Sequence, residues 1–181
     1  MKIHCLFFVS CSMLFLFHKV AIAQDEEIPQ LQLRHIAGMQ SIQFNGLTSI
    51  YSVGCSFQYA KLLSNNLSYF IGLREEQGLI QQTSFNTIYL ITGMRHTLTQ
   101  FNKSIYLNLH YALLLGGEQS SNKPFASELG TFDYGAMVGV QLDIYLLNRL
   151  VLTTGVDQLA DWGSRLGILR GEYNLGFKFY R

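Results

Sequence analysis

The chain has 181 residues, 49% of them hydrophobic and only 14% charged, with 13 Lys and Arg against 12 Asp and Glu. A formal charge of +1 leaves no basic footprint for gripping nucleic acid. The two prolines, Pro29 and Pro124, fall outside the alternating runs, which fits a sheet protein because proline cannot donate to a β-ladder.

The N-terminus has the features of an export signal. Lys2 supplies a positive start, and residues 6–17 are apolar apart from Ser10 and Ser12. Ala21-Ile22-Ala23 then gives the small-x-small pattern of signal peptidase, so cleavage is expected before Gln24. The apolar stretch is shorter than the roughly 20 residues a membrane helix needs. Gln24 also stands where a lipoprotein would carry an acylated cysteine. Removing residues 1–23 takes away Lys2, Lys19, Cys5 and Cys11, which leaves a net charge of about −1 and Cys55 as the single cysteine. The expected organisation is a signal peptide over 1–23, a periplasmic lead-in over 24–34 and one β-barrel domain over 35–181.

From there the chain alternates with period two. Tyr51, Val53, Cys55, Phe57 and Tyr59 share one face, with Ser52, Gly54, Ser56 and Gln58 between them. Phe132, Tyr134, Ala136, Val138, Val140, Leu142, Ile144 and Leu146 form another apolar row. The opposite row is Asp133, Gly135, Met137, Gly139, Gln141, Asp143 and Tyr145. Tyr173, Leu175, Phe177 and Phe179 alternate with Glu172, Asn174, Gly176, Lys178 and Tyr180 at the end. Such alternation puts apolar groups on one side of a strand and small or polar ones on the other, which helical spacing does not. The pattern predicts strands over 35–44, 50–62, 67–76, 85–98, 104–115, 132–146, 149–160 and 170–181. The segment 85–98 carries apolar residues on both faces.

Strands of this length exceed the usual five or six residues of globular sheets and match the nine to eleven of a tilted membrane crossing. Connections at 63–66, 99–103 and 147–148 are short, whereas those at 77–84, 116–131 and 160–170 are longer. The predicted fold is therefore an all-β, antiparallel up-and-down barrel of about eight strands, of the outer-membrane type, with tight periplasmic turns and larger external loops. A soluble lipocalin-like barrel is the alternative architecture. Three further expectations follow. The polar face, with few charges, lines a narrow interior where Asp143, Asp157 and Lys178 pair across the lumen. Tyr51, Tyr59, Tyr69, Tyr111, Tyr145, Tyr173 and Tyr180 form interfacial girdles. Cys55 lies on an apolar strand face, buried or facing lipid.

Chemistry is sparse. His35, His96 and His110 have no Cys, Asp or second His at metal-ligand spacing, and there is no nucleophile elbow or phosphate loop. Neither a cofactor nor a small-molecule substrate is indicated. A lipid-modifying hydrolase would need an outward histidine, His96 or His110, with Ser104 or Ser84 beside it. Gly116-Gly117 is expected to open the longest loop as a turn. Trp162 is either an interface anchor at the barrel rim or an exposed contact for a partner. An eight-stranded interior is normally filled by side chains, which argues against a diffusion pore.

The closing Phe177-Lys178-Phe179-Tyr180-Arg181 resembles the C-terminal strand that outer-membrane assembly machinery recognises, though it ends in Arg181 instead of an aromatic. Two longer stretches carry a family resemblance. One is Asn102-Lys103-Ser104-Ile105-Tyr106-Leu107-Asn108, followed by Gly116-Gly117-Glu118. The other is Leu142-Asp143-Ile144-Tyr145-Leu146-Leu147-Asn148-Arg149-Leu150-Val151-Leu152, then Trp162-Gly163 and residues 171–179. With the length and the signal peptide, they are similar to the conjugative transposon protein TraO family of Bacteroidetes; a general outer-membrane barrel is the competing assignment. The resemblance implies an outer-membrane part of a conjugative DNA-transfer apparatus that supports or docks a type IV secretion channel. It implies other transfer proteins and outer-membrane lipid as partners, with no direct contact to DNA. It brings no catalytic residues, and it assigns Asp143, Tyr145, Asn148 and Arg149 to a strand end and a tight periplasmic turn.

Overall fold

The computed structural model describes residues 36–80, 83–101, 104–120, 131–162 and 169–181. The expected cleavage site at Ala21, Ala23 and Gln24, the lead-in and His35 lie outside these residues. The described chain is all-β. Its strands are β1 (Gln40–Ser49), β2 (Ser52–Ser64), β3 (Leu67–Ile80), β4 (Thr83–Phe101), β5 (Ile105–Ser120), β6 (Thr131–Tyr145), β7 (Leu150–Asp161) and β8 (Leu169–Tyr180). Each pairs antiparallel with its sequence neighbour, and β8 closes on β1. Closure leaves no open edge to recruit another strand.

The register fixes the shape of the barrel. Following direct partners from Ser41 leads through Ala60, Phe70, Gly93, Ala112, Met137 and Leu159 to Arg170 on β8. Ser41 itself pairs with Tyr180, so the sheet closes with a stagger of ten residues. Ten residues of about 3.3 Å, set against eight strand spacings of about 4.8 Å, correspond to a strand tilt of about 40°. A twelve-residue strand such as β8 then rises about 30 Å along the barrel axis.

Polarity is inverted relative to a water-soluble protein. Val53, Leu113, Phe132 and Tyr173 point outward and are each 60–69% exposed. Arg74, Glu76 and Lys178 point inward and are at most 2% exposed. The apolar rows of β2, β6 and β8 face out, as the alternation requires. Cys55 is exposed among them.

Four details depart from the sequence expectations. The first strand runs over Gln40–Ser49 instead of 35–44. Its outward row is interrupted by Gly46 and Thr48 and its inward row by Leu47, which conceals the alternation. Strands β3, β4 and β5 continue to Ile80, from Thr83 and to Ser120, so most of the connection expected at 77–84 and the first five residues of the one expected at 116–131 are paired sheet. Their polar residues keep the ladder because cross-strand pairs such as Gln77 with Asn86 and Asn86 with Gln119 remain in register. Gly116 and Gly117 therefore lie within β5 and do not open a loop. A Cβ at Gly116 would strike the Ile88 carbonyl and the Tyr89 ring, so glycine makes room for that tyrosine. Finally, Tyr145 and Tyr180 sit inside the barrel, stacked with centroids 5.8 Å apart, and are not girdle residues.

Candidate functional site

The barrel interior concentrates the polar chemistry, arranged in layers from the end with the tight turns to the end with the longer connections. At the turn end, Tyr106, Tyr145, Tyr180, Leu62 and Val151 form an aromatic and aliphatic cluster. Above it, Lys178 is paired with Asp143, and Gln141 donates to the same carboxylate. Gln43 donates to Gln141 at 3.2 Å and to Asn45 at 2.9 Å, and Asn45 donates to Ser56 at 3.1 Å. Arg95 donates to Gln58 at 3.3 Å and lies 5.3 Å from the centroid of the Phe70 ring.

The middle layer pairs His110 Nε2 with Asp157 Oδ1 at 2.7 Å, and Asn174 donates to the other Asp157 oxygen at 2.8 Å. Gly139 admits this pair, because a Cβ there would run into Asp157 Oδ1 and lie 2.7 Å from His110 Nε2. Beside these groups runs an internal apolar cluster of Ala60, Phe70, Tyr89, Ile91, Ala112, Leu114, Met137 and Leu159. This explains why β4 is apolar on both faces: Tyr89 and Ile91 fill the inside while Ile88 and Leu90 cover the outside.

The loop end holds a branched ion-pair network. Arg74 bonds Glu172 and donates through Nε to Glu76 at 2.6 Å. Arg170 Nη1 lies 2.9 Å from Glu76 Oε2 and Nη2 lies 3.5 Å from Asp161 Oδ2. Tyr89 donates its hydroxyl to Asp161, and Ser52 donates to Glu76 at 3.2 Å. Glu118 and Asp133 are also buried at this end. The interior is thus more charged and more apolar than the small, polar lining expected from the sequence.

Pairing across the lumen holds for the residues named from the sequence: Lys178 meets Asp143, and Asp157 meets His110. The Arg74, Glu76, Glu172, Arg170 and Asp161 network was not anticipated, although strand parity carries the signal. Arg74 and Glu76 share the face of Ser68 and Gly72, and Arg170 shares that of Glu172 and Asn174. Of the resemblance residues, Asn148 and Arg149 are exposed in the 146–149 turn, which Leu146 N closes by donating to Leu150 O at 3.0 Å. Asp143 and Tyr145 instead point into the barrel. Trp162 is 53% exposed and stacks on Tyr134 at 6.1 Å, at the loop-end rim.

The histidine and serine pairing for a hydrolase is not assembled. His110 is enclosed in the lumen, out of reach of lipid. His96 is exposed on β4, and Ser84 is twelve residues away at the other end of that strand, about 40 Å along it. Ser104 lies in the turn before β5 and donates its backbone N–H to Phe101 O at 3.3 Å. Among the described residues no three His, Cys, Asp or Glu converge as a metal-binding group. A cavity of about 10 Å³ at the turn end has room for about one water. A recess of about 260 Å³ at the loop end is lined by Asn86, Ile88, Gly117, Glu118 and Gln119.

No protein-family model and no curated relative matches the sequence. Solved structures do match the fold. The outer membrane protein OprG of Pseudomonas aeruginosa aligns with TM-score 0.58 at 10% identity, covering 81% of this chain and 97% of its own. Neisserial surface protein A gives 0.57 at 11%, covering 78% and 94%. The attachment invasion locus protein Ail of Yersinia pestis gives 0.53 at 12%, covering 81% and 100%. At such identities the likeness concerns the fold: a small outer-membrane-type barrel.

Proposed function

We propose that this chain resides in a bacterial outer membrane as a non-catalytic structural or docking component of a conjugative DNA-transfer apparatus. The observation that carries the reading is the combination of an apolar outer wall with a filled interior. A continuous exposed belt that includes Phe44, Phe57, Leu73, Leu90, Leu113, Val138 and Leu175 is costly in water and favourable against hydrocarbon. A lumen packed with paired charges supports neither a diffusion path nor a substrate pocket, so contacts made at the rims and loops carry the function. Both ends of the barrel chain lie at the turn end, which in this orientation faces the periplasm. The TraO-like motif supplies the transfer role, and two of its residues, Asn148 and Arg149, are presented at that same end.

An in-frame deletion in the mobile element tests the role. Conjugation frequency should fall by orders of magnitude and recover on complementation, with unchanged frequency overturning the proposal. Membrane fractionation and heat-modifiable gel migration test the location separately. A second reading, a general barrel that binds a ligand or an external surface, is favoured by the recess at the loop end. Retained transfer with lost surface binding in a deletion strain would select it.

A further inference from the structure

The rim at the turn end is electrically one-sided. Among the described residues, every exposed Lys or Arg lies there: Lys61 on β2, Arg149 in the turn before β7, and Arg181 just after β8. Backbone bonds tie them into one arc. Tyr180 N donates to Arg149 O at 2.9 Å, Arg181 N donates to Gln40 O at 2.8 Å, and Gln40 is the direct partner of Lys61. No exposed carboxylate balances this arc among the described residues, and Asp143 inside the barrel is paired with Lys178. The α-carboxylate of a chain ending at Arg181 offsets one of the three cations and leaves the arc positive.

Strand parity says which way two of the cations face. Arg181, Gln40 and Lys61 continue the outward rows two residues below Phe179, Ile42 and Tyr59, and all three are exposed. Tyr69, the partner of Lys61 on β3, belongs to the outward row beside it. Arg181, Gln40 and Lys61 are therefore the first polar tier beneath the apolar belt, on its lipid side, at the level where hydrocarbon gives way to headgroups. Lys61 and Arg181 flank Gln40 by one strand spacing each, about 10 Å apart in all. A guanidinium fork, an ammonium and an amide donor in one row suit the free oxygens of a phosphodiester. Arg149 lies in the turn, outside this tier.

We propose that Lys61, Gln40 and Arg181 form a site on the outer wall for the headgroup phosphate of an anionic glycerophospholipid in the periplasmic leaflet. The position on the lipid-facing rows selects a lipid over an acidic protein segment, which would approach the turns from below. A zwitterionic headgroup brings its own cation to the phosphate and gains less from the arc. Each cation at the membrane surface is worth roughly fivefold in lipid affinity. The site gives a role to Arg181, the residue that departs from the usual aromatic ending. It rests on the outer wall facing lipid and not on the transfer role.

The test inserts the full barrel into vesicles of equimolar phosphatidylglycerol and phosphatidylcholine with identical acyl chains. Heat-modifiable migration first confirms insertion, which checks the lipid-facing wall separately from the site. Native mass spectrometry then counts the lipids that stay with the extracted barrel. The parent should retain phosphatidylglycerol in clear preference to phosphatidylcholine. K61Q and R181Q should each cut that preference roughly fivefold, while K61R should keep it. R149Q removes the same charge outside the tier and should stay near the parent. Equal retention of the two lipids by the inserted parent would overturn the proposal. So would an equal loss in K61Q, R181Q and R149Q, which would reflect general attraction to the positive rim. Binding of a polyglutamate peptide that depends on Lys61 and Arg181, without any lipid preference, would reassign the arc to an acidic protein and overturn it as well.

Discussion

The loop-end network makes a sharp energetic claim through Arg74. Its guanidinium is 2% exposed and bonds both Glu172 and Glu76. The two carboxylates differ in what they keep when it is removed. Glu76 retains Arg170 at 2.9 Å and Ser52 at 3.2 Å. Glu172 loses the one cation in contact with it among the described residues, and its Oε1 already has no partner. Arg74→Met should therefore strand Glu172 and cost about 3–5 kcal/mol, the usual penalty for breaking a buried pair from one side. Glu172→Gln alone should cost less, about 1–2 kcal/mol, since Arg74 keeps Glu76. Combining the two should recover roughly 1.5–3 kcal/mol of the Arg74→Met loss, because a neutral amide replaces the stranded charge. Urea unfolding of the barrel in lipid vesicles, read by the fluorescence of the single tryptophan Trp162, measures each arm. A single-variant cost within about 0.5 kcal/mol of zero would refute the reasoning. An Arg74→Met loss that Glu172→Gln leaves unrelieved would do so as well.

The other predictions concern packing and the outer wall. Gly139→Ala should destabilise by about 1–3 kcal/mol by displacing the His110–Asp157 pair. Gly46→Ala, whose added Cβ would meet only Leu175 O at an ordinary 3.8 Å, should stay within about 0.5 kcal/mol of the parent; equal effects in the same unfolding assay would count against the interior geometry. Val138→Lys, outward in the middle of β6, should cost about 2–4 kcal/mol in bilayers, while Phe132→Lys near the loop end should cost only about 0–1. A flat profile along β6 would mean that hydrocarbon does not cover this wall. Cys55 should react slowly with a water-soluble maleimide in the vesicle-inserted barrel and quickly once unfolded in urea. Rapid labelling of the folded protein would contradict a lipid-facing position.

What the sequence disclosed follows from how parity is recorded. On β2, β6 and β8 the outward residues are apolar almost without exception, so a period of two assigns both faces at once. β1 resisted the same treatment because Gly46 and Thr48 sit outward and Leu47 inward. The interior was legible in composition but not in its contacts. Asp143 and Lys178 are 35 residues apart and meet only because β6 and β8 flank β7 in a closed sheet. Arg74 and Glu172 are 98 apart and depend on two strands separated by β1 and β2 across the closure. Such pairs are fixed by the stagger, which no local pattern encodes. The tyrosines misled for the opposite reason. An aromatic at a strand end suits a membrane interface and a barrel plug equally, and only parity with Asp143 and Lys178 assigns Tyr145 and Tyr180 to the plug.

The uneven height of the wall bears on where contacts are made. β1 has 10 residues and β8 has 12, close to what a tilted crossing needs, but β4 has 19 and β5 has 16. The surplus lies largely at the loop end, where residues 77–80 pair with 83–86 and residues 116–120 pair with 85–89. Pairing beyond the apolar belt is not required for membrane insertion, and each ordered residue there costs roughly 1–2 kcal/mol of backbone entropy before its hydrogen bonds offset it. The outward residues of this ribbon mix polar Gln77, Asn86 and Gln119 with apolar Leu79 and Ile88, so it is more polar than the belt below it. The recess lined by Asn86, Gly117 and Gln119 lies on the same ribbon. A paired extension of mixed polarity on one side of a plugged barrel offers a partner a surface whose backbone is already ordered, which lowers the ordering cost of binding. Among the described residues, the tall β3–β5 side is therefore the part of the loop end best built for contact.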